Sequence, residues 1–498
     1  MGDKTRFYSM ERDRLKWGKV ESDAEMWREI ITTTSLYRQV CEFILRFRPG
    51  VAVEMCDLFR GGYNDIYRLR YADGTSVIMR VPIKGVVRFP DEKVLYEAAT
   101  MKHIAAHTSI PVPHIYHYGT GAENPTGLGP FIIMDYIEHH QTMNEALVDP
   151  ALSPGERPVL NPAIDEERLE FMYRQMANIL LQLFNLRFPR IGSVVEAKRK
   201  YAASITGRPL TRNMNDMIMQ TNTPESVLPT GTFGSTSEWF RTLGNMHMAQ
   251  LVFQRNDAVD NLEDAREKYV ARQLLRNLST EGRLVPEPPK PSEPSRRRED
   301  FILFSEDFRP ANVLINVNLE IVGVVDWEFA FAAPARLSYA PPWWLLLKKP
   351  EYWIGGYREW VVAYEPRFQT FLRALVAEER RMAATRSAFT PYTNGKAEPP
   401  LSQRMVETWT KRDWVLTYAM RKSWSFDFLW WKYLDEYFYG PNATQDYNSR
   451  LHLLTQPQKD AMDAFVARKM EESETPVLEL ASQWDDGGGA DRLAEVLV

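Results

Sequence analysis

The sequence predicts an α+β chain of two lobes, a small β-rich lobe followed by a larger, mainly helical one. Three observations carry this prediction. From about residue 53 hydrophobicity alternates with a period of two, and Asp73-Gly74 separates two such runs, a strong hairpin signal. After residue 141 the period lengthens: Leu169, Met172, Met176, Ile179 and Leu183 recur at three- and four-residue steps. The β signal returns only at 301–325, after which the chain reads as helical and rich in tryptophan to about residue 480.

Each element follows in order. Residues 11–48 place Trp27, Ile30, Ile31, Phe43 and Ile44 on recurring faces, so 1–50 reads as an N-terminal helical extension. Ile66 to Tyr71 and Ser76 to Val81 form the hairpin, and Val94, Leu95, Ala98, Met101 and Ile104 give the helix at 91–107 one buried face. Ile110-Pro111-Val112-Pro113 is extended, and Phe131 to Met134 closes the lobe 51–138 as a buried strand. The second lobe is expected over 139–480, with a helical insert at about 195–300 and a loop and hairpin at 301–330. Pro286 to Pro294 reads as an extended linker, 388–402 as a polar loop and 481–498 as a flexible tail. No internal repeat is visible.

Composition narrows the function classes. Hydrophobic residues make up 44% and charged residues 26%, ordinary for a globular chain. A net charge of -5 gives no general attraction to nucleic acid or anionic membrane, and the basic run Arg296-Arg297-Arg298 is followed at once by Glu299 and Asp300. Cys41 and Cys56 are too few for a disulfide framework, and no Cys/His cluster has zinc spacing. The start Met-Gly-Asp-Lys-Thr-Arg places Arg6 where a myristoylation signal needs Ser or Thr, and no signal peptide or spanning segment is read. The expected compartment is the cytoplasm, and nothing in the sequence indicates an oligomeric state.

The informative segment is Phe301 to Asn316 followed by Ile321-Val-Gly-Val-Val-Asp-Trp-Glu328. An apolar strand leads to Asp307 and Asn312, five positions apart in a loop, and a hairpin then delivers Asp326. Asp and Asn in loops more often cap turns. The three together, with a hairpin short enough to return Asp326 to Asn312, suit phosphoryl transfer: one aspartate orients a hydroxyl and oxygen ligands hold magnesium.

With these residues the chain resembles the aminoglycoside phosphotransferase and choline kinase group. Ile110-Pro-Val-Pro113, Phe188-Pro-Arg-Ile-Gly-Ser193, Asp326-Trp-Glu328 and Pro341-Pro-Trp-Trp344 fit that pattern over roughly residues 55 to 350, and the Trp-rich helices beyond look like its fungal members. The resemblance implies a two-lobed protein-kinase-like fold, ATP and Mg2+ as cofactors, and a small-molecule acceptor. It gives Asp307 the catalytic role and Asn312 and Asp326 the metal. In one respect the chain departs from the group: Ser305 stands where a histidine is usual, two residues before Asp307, and Glu306 often is glycine. A serine hydroxyl could partly replace that histidine's hydrogen bond, and Glu306 adds negative charge near a phosphate site.

The small lobe supplies the remaining parts. Gly61 and Gly62, with Asn64, sit where a phosphate-covering turn belongs, since adjacent glycines let backbone amides approach phosphate. Arg80 occupies the strand position of a phosphate-binding lysine, opposite to the core-facing Val77, Met79 and Val81. Glu97 is its expected helix partner, ahead of Glu92. Met134, Tyr136 and Ile137 resemble a hinge against adenine. Arg309 and Glu328 could reach acceptor or phosphate or simply pair at the surface, and the tryptophans at 343, 344, 424, 430 and 431 read as core.

The expected function is ATP-dependent phosphotransfer to a hydroxyl of a small molecule. The alternative is a catalytically impaired kinase-like protein that binds nucleotide or a partner without turnover. A protein kinase is disfavoured, because no Ala-Pro-Glu-type segment follows at activation-loop distance.

Overall fold

A computed structural model describes residues 12–196, 203–285, 301–353, 355–385, 399–478 and 488–498. The Pro286–Pro294 linker, the Arg296–Arg298 run, residues 388–398 of the polar loop and the first part of the expected tail lie outside the described residues.

Strands β1 (Ala52–Met55), β2 (Phe59–Arg60), β3 (Asn64–Tyr71), β4 (Ser76–Pro82), β5 (Ile115–Gly119) and β6 (Phe131–Asp135) form one antiparallel sheet in the order β1-β3-β4-β6-β5, with β2 added to β3. The Asp73-Gly74 turn sets the register, pairing Arg70 with Ser76 and Ile66 with Arg80. Period-two alternation sends Val77, Met79 and Val81 to one face and Ile78 and Arg80 to the other. The first face is covered by helices α1 (Arg14–Ile31) and α2 (Thr34–Phe47), whose Ile31, Val40, Phe43 and Ile44 share its core. Tyr67 donates to the carbonyl of Ile31 at 2.9 Å, and Arg60 reaches the carbonyl of Ala24. The N-terminal helices therefore belong to the lobe's core, and residue 50 is not a packing boundary. The opposite face carries helix α3 (Pro90–His107) and turns toward the second lobe.

The larger lobe is mainly helical, with Glu166–Asn185 at its centre packed on the long helix Gly356–Thr385. Its strands are more numerous than the sequence suggested. An antiparallel pair, Ser193–Glu196 with Ala203–Gly207, opens the insert, where the sequence predicts helix. Phe301–Phe304 is sandwiched between Arg187–Phe188 and Phe331–Pro334, and Val313–Ile315 pairs with both Ile321–Val324 and Gln141–Thr142. Runs of two to five residues are too short to show a period, so only partner strands reveal them. Leu401 and Ser402, assigned to a loop, open the helix Leu401–Lys411. The chain end is not a loose tail either: Gly488–Ala494 is helical, Leu493 and Val496 are buried, and Gln273 donates to the carbonyl of Val496. Cys41 and Cys56 are both free thiols, and among the described residues no helix is long and apolar enough to cross a membrane.

One buried histidine makes the lobe acid-sensitive. His247 is 1% exposed and stacks on Phe426; burial, then the charge of Arg272, push its imidazole down to about 3. The unfolded chain takes up this proton near pH 6.5, whereas the fold refuses it, so stability is lost as pH falls below that value. Between pH 6.5 and 5 this site should cost about 2 kcal/mol, a slope that His247→Phe removes; urea unfolding of both proteins at the two pH values measures the difference.

Candidate active site

The loop after Phe301–Phe304 is held by its own side chains. A single 3-10 turn over Pro310–Asn312 brings Asn312 back to Asp307, and its Nδ2 donates to the Asp307 carbonyl at 2.9 Å and to Oδ2 at 3.0 Å. Arg309 Nε donates to the other carboxylate oxygen at 3.0 Å. The hairpin that follows turns on Asn316, whose Oδ1 accepts from the amides of Asn318 and Glu320. It returns so that the Val325 amide donates to the Asn312 carbonyl at 3.0 Å. The next residue, Asp326, has a left-handed backbone (φ 67°), and this reversal aims its carboxylate at the small lobe.

There it meets Arg80. One guanidinium nitrogen donates to Glu97 Oε1 at 2.5 Å, and the other to Asp326 Oδ1 and, at 2.8 Å, to Glu328 Oε2. Glu92 is engaged elsewhere, by Arg208. Lys93, one turn before Glu97 on the same helix, bridges Glu328 at 2.5 Å and Asn64 Oδ1 at 2.7 Å. Asn64 also donates to Glu328 at 2.8 Å. Neither Arg80 nor Glu328 is a surface residue, at 6% and 3% exposed. Asn64, expected at a phosphate, is instead spent inside this network, because its strand position points into the buried interface between lobes.

Two cations, Arg80 and Lys93, thus face three carboxylates, Glu97, Asp326 and Glu328. Burial alone would weaken the charge of Arg80, but the three carboxylates hold its pKa above the usual guanidinium value. The surplus falls on Asp326. Burial, then Glu328, push its carboxyl up to about 7 against the pull of Arg80, and Asp307 and Glu97 add repulsion.

This unbalanced charge suits a divalent cation. Asn312 uses its amide NH2 on Asp307, which leaves its Oδ1 for a hard cation beside Asp326. Among the described residues no group of three His, Cys, Asp or Glu side chains could hold a metal. Two oxygen donors that leave the remaining positions to water and phosphate fit Mg2+.

The other expected nucleotide contacts are backbone positions. Gly61 and Gly62 form the β2–β3 turn, closed by the Gly61 amide on the Asn64 carbonyl at 2.8 Å, and a Cβ on Gly62 would meet open space. Met134 is inside the sheet ladder, paired with Ile78 and Ile115, and its side chain, 3% exposed, lies in the core shared with the larger lobe. The Tyr136 amide donates to Ser76, its ring carries the Arg68 guanidinium at 3.6 Å, and the Ile137 carbonyl accepts from His139.

The residues before Asp307 behave differently from expectation. Among the described residues the Ser305 hydroxyl makes no hydrogen bond, so it does not replace a histidine's. Glu306 turns away from the Arg80 network toward Arg421 and Lys422, 3.9 and 3.8 Å from its Oε1. Burial would raise its carboxyl, but Lys422, Arg421, Arg212 and Lys349 together hold it below the usual range. Its charge is matched there rather than set against phosphate. Sequence reasoning missed Lys93 and these four cations; Lys93 is legible only as one turn from Glu97, and the others lie on distant segments. Trp343 and Trp424, read as core, line a cavity beside Asp307, whereas Trp344, Trp430 and Trp431 are buried.

A subtelomeric hrmA-associated cluster protein of Aspergillus fumigatus is 29% identical over 147 residues, 29% of this chain and 25% of that protein. Altered inheritance of mitochondria protein 9, mitochondrial, of Komagataella phaffii is 25% identical over 145 residues, 29% of this chain and 22% of that protein. The match spans about a quarter of the length of these relatives. Among solved structures, a macrolide 2'-phosphotransferase type I aligns with 85% of this chain and 98% of its own at 11% identity and a TM-score of 0.39. An ethanolamine kinase of Plasmodium vivax aligns with 85% of this chain and 82% of its own at 11% identity and a TM-score of 0.36. The signature of the phosphotransferase enzyme family known as APH matches residues 57–337, more than half of the chain, and takes in both the Arg80 network and the Asp307 loop: the protein belongs to that family.

Proposed function

We propose that the protein transfers the γ-phosphoryl group of ATP to a hydroxyl of a small molecule. The observation that carries this is the contact of Asp326 with the Arg80–Glu97 pair across the two lobes, with the Asp307–Asn312 pair tied to the same strand end by the Val325 amide on the Asn312 carbonyl. Arg80 steadies the nucleotide phosphates, with its guanidinium oriented by Glu97 and Glu328. Gly61 and Gly62 offer backbone amides above them, and the backbone at Tyr136 and Ile137 faces adenine, with the Met134 side chain beneath. Asp307, aimed by Arg309 and Asn312, orients the acceptor hydroxyl and takes its proton as the new O–P bond forms. The bond from γ-phosphorus to the bridging oxygen breaks and ADP leaves. Asn312 and Asp326 would hold Mg2+, which supplies charge neutralisation at the phosphates. The cytoplasm is the compartment proposed from the cysteine content, and the mitochondrial label of the Komagataella phaffii relative is the rival address.

Magnesium-ATP, binding only the folded protein, should raise its melting temperature, by the equivalent of about 2.7 kcal/mol at a hundredfold excess over Kd. ATP without the metal should do less. A protein indifferent to magnesium-ATP would overturn the assignment. A shift with no phosphate transfer to any of a broad panel of hydroxyl compounds would favour a nucleotide-binding protein without turnover.

A further inference from the structure

Beside Asp307 lies a cavity of about 360 Å³ lined by residues from six separated segments. Among the described residues eight arginines and lysines border it, against three carboxylates: Asp216, Glu306 and Asp307. Two of those carboxylates are already engaged. Asp216 accepts from Tyr63 at 3.0 Å and pairs with Arg212, and Asp307 is held by Arg309 and Asn312. Glu306 faces Arg421, Lys422, Lys349 and Arg212, of which Arg212 is shared with Asp216 and Lys349 with Glu351, and the Arg421 and Lys422 nitrogens stop at 3.8–3.9 Å from it, outside hydrogen-bond contact. Lys349 and Lys422 border the same cavity. Burial, then the charge of Lys422, push Lys349 well below the usual lysine value, with Arg212 adding to the repulsion. Positive charge is therefore in excess where the acceptor must enter. Aromatic rings back it: Lys349 sits 5.2 Å from Trp343, Lys422 5.8 Å from Trp424, and Trp424 stacks on Tyr352.

We propose that this cavity seats the anionic group of the phosphoryl acceptor on Lys349, Arg421 and Lys422, so that the substrate is a hydroxyl-bearing carboxylate or phosphate ester rather than an amine. This rests on the phosphotransfer reading above, which places the acceptor at Asp307. An anion between the two lysines would replace their repulsion by charge-assisted hydrogen bonds, and the aromatic wall would hold the rest of the molecule. None of Arg80, Lys93 or Asp326 borders the cavity, so the nucleotide and acceptor charges are handled by different residues.

Two measurements separate this inference from the reading beneath it. Calorimetric titration of the full chain with inorganic phosphate and with citrate, at constant ionic strength and without nucleotide, should show binding that weakens at least about tenfold in Lys349→Met/Lys422→Met. Lys422→Arg should retain it. The magnesium-ATP shift should survive in the double variant, which also shows that it is folded. Absence of anion binding, or binding untouched by the double variant, would overturn the inference whatever the nucleotide does. Transfer assays with matched pairs, glycerate against glycerol and glucose 6-phosphate against glucose, with choline and kanamycin as cations, supply the second arm. The anionic member of a pair should have the lower KM, by about tenfold, and the double variant should erase that preference. Carboxylate and phosphate arms distinguish the two acceptor chemistries. Preference for the neutral or cationic compounds would overturn the inference and leave phosphotransfer standing.

Discussion

Arg80→Met is expected to lower the unfolding free energy by about 3–5 kcal/mol, the cost of removing one partner from a buried ion cluster. The guanidinium is the contact shared by Glu97, Asp326 and Glu328, and after its loss only Lys93 would oppose three carboxylates. Methionine matches much of the stem, so the loss reports on charge rather than on an empty volume. Glu97 suffers most, because its Oε1 loses its donor while its Oε2 already has no hydrogen-bond partner. The double variant Arg80→Met/Glu97→Gln should recover part of the loss, and Arg80→Lys should lose less than Arg80→Met while still failing to span three acceptors. Urea unfolding of the four proteins near pH 7.5 checks this; a single-variant loss below about 1 kcal/mol would mean that the cluster is hydrated and weakly coupled.

Asp326→Asn should move binding and stability in opposite directions. Without the carboxylate the magnesium-ATP shift should vanish. In EDTA at pH 8, however, the variant should be more stable than the wild type by about 1–3 kcal/mol. The sign follows from a folded-state carboxyl at about 7 against an unfolded value near 4. As pH rises through this window the unfolded chain ionises first, so the wild type loses stability, and above pH 7 it carries the cost of a third carboxylate in the cluster, reduced by the water that reaches its 26%-exposed side chain. At pH 5 Asp326 is protonated in the fold while the unfolded chain is already largely ionised, so the gap between the two proteins should shrink to about a third of its value at pH 8. Asparagine also suits the left-handed backbone at this position, which keeps strain out of the comparison. Thermal melts across pH 5 to 8, with and without magnesium-ATP, measure both halves; a variant less stable than the wild type at pH 8 would show that Asp326 is a structural anchor rather than a strained ligand.

The parts of this protein that depend on local periodicity were legible in the chain. The β3–β4 hairpin follows from Asp73-Gly74 between alternating runs, and α3 from one apolar face. Asp307, Asn312 and Asp326 could be grouped because a short hairpin joins them in sequence. Even Glu97 as the partner of Arg80 followed from its mid-helix place, away from the first-turn acids that a helix dipole explains. The brief strands around Phe301–Phe304 were hidden, since two residues carry no period.

What only the tertiary structure decided is charge balance. Asn64 looked like a phosphate contact until the fold set it between Lys93 and Glu328. Glu306 looked like a fault in a phosphate site until Arg421 and Lys422, more than a hundred residues later, came to stand opposite it. The same folding step collects Arg212, Lys349, Arg421 and Lys422 beside Asp307 in a chain whose net charge is negative. Sequence by itself determined the lobes and the grouping of Asp307, Asn312 and Asp326, because local pattern and short loops suffice for them. The sign of the acceptor pocket is a sum over residues that meet only in three dimensions, since Coulomb energy depends on distance in space and not along the chain.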